Sequence, residues 1–306
     1  MSRSPNFLVL GAAKSGTTSL YSYLGQHPDV FFSTPKEPVF FEAEYERGLD
    51  YYWQRYFGAW SGQRAIGEAR SYNLYLPYVP RHISEALAEP RLIAVLREPG
   101  ERAYSHWWHR YTRRIEKLSF EAAIEANQKA LERGPRFHGE EGARAWRRGL
   151  TRNATVTRHA TYLDLGFYAE QLRRYFDLFP ASCMKVVLFE DLVSDPGAVA
   201  RELWGFLGVD PNRELTDTHA QNVSHDVMET AGWTHLSRIN KSLGYTRLLP
   251  KGVRRLGRRL LAGRRAERPA MRRETRSFLS DYFAERNLEL ELLIRRDLAA
   301  WRSAAL

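Results

Sequence analysis

The sequence predicts an α/β fold, a doubly wound and mostly parallel sheet with a helical C-terminal region. Two patterns carry that expectation. Short apolar runs alternate with helical segments over roughly the first two-thirds of the chain, which is the signature of strands and helices laid down in turn. The runs also lack the in–out alternation of a half-exposed strand, as befits parallel strands covered on both faces. In chain order, a first strand is expected over residues 7–10, then a glycine turn and a helix over 17–26 that opens on small hydroxyl residues. Further strands are expected over 30–32, 65–67, 92–96 and 185–189. Helices are expected over 80–87, 100–114, 169–178 and 196–207, and the C-terminal third ends in a helix over 275–301. No internal repeat or low-complexity linker interrupts the chain. Residues 1–306 therefore read as one domain, with 113–160 as a polar insertion or lid.

The length of 306 residues suffices for a sizeable core. One cysteine, Cys183, rules out an intramolecular disulfide and fits a reducing compartment. No stretch approaches the ~20 apolar residues of a membrane span. The run at 7–13 is too short, is broken by Gly11 and leads straight into Lys14. The net charge of +10 is uneven, because residues 251–276 hold eleven Lys and Arg against two Glu. Arg254, Arg255, Arg258 and Arg259 would share one helical face there. That face reads as solvated, as a contact for an acidic acceptor or an anionic membrane surface, or as part of a nucleotide site. Nucleic acid is disfavoured, since no reading motif accompanies the charge. Nine His with one Cys and no H-x-x-x-H argue against a metal site.

The segment from Phe7 to Leu20 has the strand–loop–helix layout on which backbone N–H groups and a helix dipole converge on an anion. A nucleoside-triphosphate loop reads G-x-x-x-x-G-K-[ST]. Gly11 and Gly16 have that separation, but Thr17 stands where the lysine belongs, and the lysine lies ahead of Gly16 at Lys14. With seven Lys against thirty-nine Arg, lysine is not the chain's default cation. A second constellation follows the run Leu92-Ile93-Ala94-Val95-Leu96. Arg97 sits at that strand's C-terminal end, where ligands bind in open α/β sheets, and Ser105 lies one or two turns into the next helix. A guanidinium and a hydroxyl so placed can grip a phosphate. Trp107, Trp108 and Tyr111 form an aromatic cluster, either core or a platform for a sugar or aromatic acceptor.

Lys14-Ser15-Gly16-Thr17-Thr18 resembles the 5′-phosphosulfate loop of the sulfotransferases that use 3′-phosphoadenosine 5′-phosphosulfate (PAPS). Lys36-Glu37-Pro38-Val39-Phe40-Phe41-Glu42 resembles the K-E-P-x-F-F segment of the carbohydrate branch, the relatives of the heparan sulfate sulfotransferases. Gly166-Phe167-Tyr168-Ala169-Glu170-Gln171-Leu172 resembles the family's G-x-Y-x-x-Q-L helix start. Phe189-Glu190-Asp191-Leu192 with Asp195-Pro196 resembles its E-D-L…D-P turn. The likeness is weaker over 112–160 and 225–275.

The Golgi members of that family carry a membrane anchor and disulfides that this sequence lacks, so the resemblance implies a bacterial-type, cytoplasmic enzyme, with the sequons at Asn153 and Asn222 accidental. It implies transfer of a sulfuryl group from PAPS to a hydroxyl, less readily to an amine, with release of 3′,5′-ADP (PAP). A sugar or glycolipid acceptor is implied, with no metal. By analogy with phosphoryl transfer, the catalysis is positioning and charge stabilisation. On the family pattern, Lys14 stabilises the leaving phosphate. Ser15, Gly16, Thr17, Thr18 and Ser19 bind the 5′-phosphate, and Arg97 with Ser105 binds the 3′-phosphate that distinguishes PAPS from ATP. Glu37 is the implied general base, with its backbone expected extended ahead of Pro38. Lys36 either orients Glu37 or contacts the acceptor. His27, His106 and His159 are the rival bases, though none lies in a matching motif.

Gly67-Glu68-Ala69-Arg70-Ser71-Tyr72 resembles the family's G-E-x-S/T-P-x-Y segment with two departures. Ala69 stands where the heparan sulfate 3-O enzymes place a lysine, and Arg70-Ser71 replaces Ser-Pro. Glu68 is either a second carboxylate in the cleft or a buried residue holding the loop. Lys36, Glu68 and Arg70 are the acceptor-side candidates. The alternatives are a PAPS enzyme acting on a phenol or other small molecule, an ATP-using kinase, and a non-catalytic anion-binding protein working through residues 251–276. Thr17 and the Arg97/Ser105 pair argue against the kinase.

Overall fold

The computed structural model of the chain describes residues 4–134, 136–150, 157–219 and 267–303. Five strands, β1 (Phe7–Gly11), β2 (Val30–Phe32), β3 (Ala65–Ala69), β4 (Arg91–Leu96) and β5 (Met184–Leu188), form one sheet in the order β2-β3-β1-β4-β5. Every pairing is parallel, with Leu8 opposite both Glu68 and Leu92. Each strand lies within one or two residues of its expected place. The helices are α1 (Thr17–Leu24), α2 (Gly48–Tyr56), α3 (Val79–Ala86), α4 (Pro99–Thr112), α5 (Phe120–Leu131), α6 (Gly139–Gly149), α7 (Tyr168–Phe176), α8 (Phe189–Ser194), α9 (Pro196–Leu207), α10 (Arg273–Ile294) and α11 (Ala299–Ser303).

Period-two alternation divides the strands between two apolar layers. Phe7, Val9, Ile93 and Val95 pack with Leu20 and Leu24 of α1 and with Leu203 and Trp204 of α9. Leu8, Leu10, Leu92 and Ala94 pack with Tyr52 of α2, Ile83 of α3 and Leu172 of α7. A third cluster joins α4, α5 and α10 through Trp107, Trp108, Phe120, Ile124, Leu279 and Phe283. The two tryptophans of the aromatic motif are therefore core. The sheet is doubly wound about β1, which has β3 on one side and β4 on the other. The loops after β1 and β4 thus emerge side by side at the switch point, where open sheets of this kind bind ligands.

The polar stretch 113–160 contains two helices that its composition hides. Ser119 caps α5, accepting from Ala122 N at 3.3 Å, and Phe120, Ala123, Ile124 and Asn127 form its buried face. α6 is anchored by Trp146, which is wholly buried with its ring centroid 5.1 Å from both Tyr72 and Phe137. Arg110 of α4 ties down the end of the stretch through the carbonyls of Thr157, Arg158 and His159. The helix expected over 275–301 divides at Arg295, whose left-handed φ of 53° ends α10 ahead of α11. Lys251, the face carrying Arg254, Arg255, Arg258 and Arg259, and both sequons lie outside the described residues.

Candidate active site

The loop after β1 is held from three sides. Ala12 N donates to Val95 O of β4 at 2.7 Å. Beneath it, fully buried Arg102 donates to the carbonyls of Ala13, at 3.5 Å, and Tyr162. Gly16 has a φ of 90°, and a Cβ there would lie 3.0 Å from side-chain carbons of Phe189 and Leu192, so both conformation and space require glycine. α1 starts at the next residue. Its first-turn N–H groups have no intrahelical acceptor, and the positive end of its dipole lies at the loop.

Cations gather over this loop. Lys14, itself at a left-handed φ of 72°, places Nζ 3.4 Å from His109 Nδ1 on α4. Arg113 Nη1 reaches the same ring nitrogen at 2.6 Å. A nitrogen that accepts from two cations carries no proton, so the His109 proton sits on Nε2. Burial, then the charges of Arg113, Arg97, Arg268 and Lys36, lower the Lys14 ammonium to about 8. Arg97 leaves the end of β4 with its guanidinium 4.6 Å from the Phe189 ring centroid and 3.5 Å from Glu101. Glu101 also pairs with Arg276 of α10 at 2.8 Å. Arg268, just before α10, lies 4.1 Å over the ring of Tyr104.

Arg97, Glu101, Ser105, His109 and Arg113 follow one another at four-residue steps through α4 and its flanks, so that successive residues within the helix are neighbours one turn apart. Sequence reasoning named Arg97 and Ser105 and passed over His109 and Arg113, although the same spacing continued from Ser105 reaches both. Ser105 is buried. The three rival histidines occupy packing positions. His27 is bonded to the backbone of Asp29 and Asp210. His159 lies against Phe137 and Trp146 and bonds Ala145 O. His106 is buried against Tyr162, its basicity pushed well down by burial and by Arg102 and Arg110.

The second half of the site begins at Lys36. Its Nζ donates to Thr18 Oγ1 at 2.8 Å and lies 3.6 Å from Glu37 Oε1, so it joins the loop helix to the carboxylate. The Glu37 backbone is left-handed, with a φ of 67°, rather than extended as expected. The proline that follows biases this residue toward extended backbone, and the tertiary hydrogen bonds of its side chain hold it in the rarer left-handed region instead. Its carboxylate accepts from Arg70 Nη1 at 3.2 Å, from Ser71 N at 3.3 Å and from Ser71 Oγ at 3.2 Å. Arg70 is fully buried and also bonds both oxygens of buried Glu42. Glu68 lies below, 1% exposed, accepting from Tyr52 Oη and from Asn73 Nδ2 at 2.9 Å. Burial raises its carboxyl to about 8 against these two donors. Gly11 closes the gap between the halves, since a Cβ there would lie 2.7 Å from Ser71 O.

No group of His, Cys, Asp and Glu among the described residues could hold a metal, and no helix among them is long and apolar enough to cross a membrane. The sequence profile of the sulfotransferase domain matches residues 4–288. The chain belongs to the sulfotransferase family. A human bifunctional heparan sulfate N-deacetylase/N-sulfotransferase 3 is 28% identical to it across 96% of this chain. The mouse heparan sulfate glucosamine 3-O-sulfotransferase 3B1 is 30% identical across 70% of it. This sulfotransferase spans only 30% and 48% of those two proteins' lengths. Among solved structures, a sulfotransferase from Alicyclobacillus acidocaldarius is 27% identical, with a TM-score of 0.69 over 98% of this chain and 99% of the other. The resemblance to the carbohydrate branch of the PAPS-dependent sulfotransferases is thereby borne out.

Proposed function

We propose that this sulfotransferase takes its sulfuryl group from PAPS and passes it to a hydroxyl of a sugar or glycolipid, releasing PAP. The observation that carries this reading is the cation cluster around Lys14. Four further positive side chains depress its proton affinity, an arrangement suited to a polyanion. Arg268 sharpens the fit, because its Nε and Nη2 are buried and meet no acceptor among the described residues. It also favours the nucleotide-site reading for this end of the basic 251–276 segment. The N-terminus of α1 and Thr17 suit a 5′-phosphate, and Arg97 with Ser105 suits a 3′-phosphate.

In the transfer, Glu37 takes the acceptor hydroxyl's proton. The acceptor oxygen bonds to sulfur as the bond from sulfur to the phosphate oxygen breaks, and that electron pair leaves with the phosphate. Lys14 Nζ meets the charge where it develops. Lys36, between Thr18 and Glu37, couples the positions of donor and base. The heparan sulfate names of the relatives support a sugar acceptor. The test is incubation with sulfur-labelled PAPS and a panel of desulfated heparan sulfate oligosaccharides, a neutral glycolipid and a simple phenol. Label in a glycan is expected. Label in the phenol alone would move the acceptor to the small-molecule class.

A further inference from the structure

Arg70 is fully buried beside the site, and the sulfuryl-transfer scheme leaves it without a task. Its planar guanidinium faces two carboxylates at once. Nε and Nη2 take the two oxygens of Glu42, with Nε at 3.0 Å, while Nη1 takes Glu37 Oε2 at 3.2 Å. Burial opposes its charge, yet Glu42 and Glu37 hold its proton more tightly than in an ordinary arginine. Glu42 is buried as well, and burial raises its carboxyl against the pull of Arg70. A buried charge is stable only when paired and hydrogen-bonded, and each of these two supplies the other's partner.

The contacts on Glu37 are unequal. Oε2 receives Arg70 Nη1, Ser71 N and Ser71 Oγ, all within 3.3 Å. Oε1 has Lys36 Nζ at 3.6 Å and shares the Ser71 hydroxyl at 3.3 Å. We propose that Arg70 is a positioning residue that ties Glu37 by Oε2 and so presents Oε1 to the acceptor hydroxyl, with Glu42 as the buried counterion that keeps Arg70 in register. Arg70 acts through Glu37 and does not itself touch the acceptor. A lysine could satisfy one carboxylate but not span both in one plane. This assignment rests on Glu37 being the base.

A double-mutant cycle tests it, with acceptor-free hydrolysis of PAPS to PAP and sulfate as the probe and PAP binding as the check on fold. Water then stands in for the acceptor hydroxyl. Arg70→Lys should leave PAP affinity unchanged and lower kcat by on the order of 10²-fold, the cost of a reacting group misplaced by about an ångström. In the Glu37→Gln background the same change should cost less than about twofold, because contacting residues that act as one unit are not additive. Equal losses in both backgrounds would overturn the assignment and make Arg70 merely structural. A Glu37→Gln enzyme with full activity would instead remove Glu37 as base, a failure visible in that single variant. Should Arg70→Lys not fold, Arg70→Met with Glu42→Gln removes both buried charges together. It should show the same dependence on Glu37, and a loss independent of Glu37 would overturn the assignment equally.

Discussion

The two halves of the site meet at the hydrogen bond from Lys36 to Thr18, and they balance charge in opposite ways. On the donor side, Lys14 is crowded by Arg113, Arg97, Arg268 and Lys36, and Arg97 leans on a Glu101 that Arg276 also uses. On the acceptor side, Arg70 is matched by Glu42 and Glu37, and Glu68 by Tyr52 and Asn73. Among the described residues the cations around Lys14 outnumber the carboxylates paired with them, whereas Arg70 has its carboxylate partners in the fold itself. Ligand and pH should therefore act chiefly on the first, and buried substitutions on the second.

The largest expected effect is on chemistry. Glu37→Gln should lower turnover by ~10²–10⁴, the usual worth of a general base, and leave PAP affinity near wild type, since the carboxylate belongs to the acceptor side. A parallel fall in PAP affinity would merge the two halves. Lys14→Ala should cost ~10²–10³ in turnover, as for loss of one charge-stabilising donor, and should weaken PAP binding too. Full PAP affinity in that variant would detach Lys14 from the donor.

Acid–base behaviour should separate the halves next. Lys14 titrates at about 8 without ligand, and an anionic donor favours its charged form. PAP binding should therefore be nearly flat around pH 7, above the second ionisation of its own phosphates at about 6, and weaken by up to about tenfold per pH unit above about 8, with one proton taken up there. Calorimetry in buffers of different ionisation enthalpy reads that proton. Unchanged affinity and no proton uptake from pH 7 to 9.5 would contradict the crowding.

The smallest effect is on stability. The folded-state carboxyl of Glu68 is raised to about 8 from 4.5, so the folded protein keeps a proton that the unfolded chain releases. Its contribution to stability is full below pH 4.5 and falls as the pH rises toward about 8. Glu68→Gln, which has no proton to lose, should gain a few degrees in Tm over wild type at pH 8.5 relative to pH 5. Melting curves with the same pH dependence would show that Glu68 is ionised in the fold.

The donor side was largely legible in the sequence, and the acceptor side much less so. β1, its glycine loop and Arg97 after β4 are local patterns, so short apolar runs and motif spacing suffice to place them. His109 and Arg113 were within reach of the same reasoning, since they continue the helical step from Ser105. The bonding of Arg70 to Glu42 was not, because the two residues are separated by a strand and a helix and meet only through the fold. Nothing local forces the left-handed backbone at Glu37; Arg70 and Ser71 hold it there. α6 escaped notice because in GEEGARAWRRG the buried face amounts to Trp146 and Gly149. α2 escaped because its buried face amounts to two tyrosines. Both of them, Tyr52 and Tyr56, send their hydroxyls to Glu68 and Glu44.

The central claim is that the cation-rich half is built for a nucleotide bearing a 3′-phosphate. Calorimetric titration of PAP, 5′-AMP and ATP into the wild type and Arg97→Ala tests it most directly. Charge-assisted hydrogen bonds from Arg97 and Ser105 should make PAP bind about 100-fold more tightly than 5′-AMP, near 2.7 kcal/mol. ATP should fall well below PAP, and Arg97→Ala should erase most of the gap. Equal binding of PAP and ATP, or a preference for PAP that survives loss of Arg97, would contradict the account.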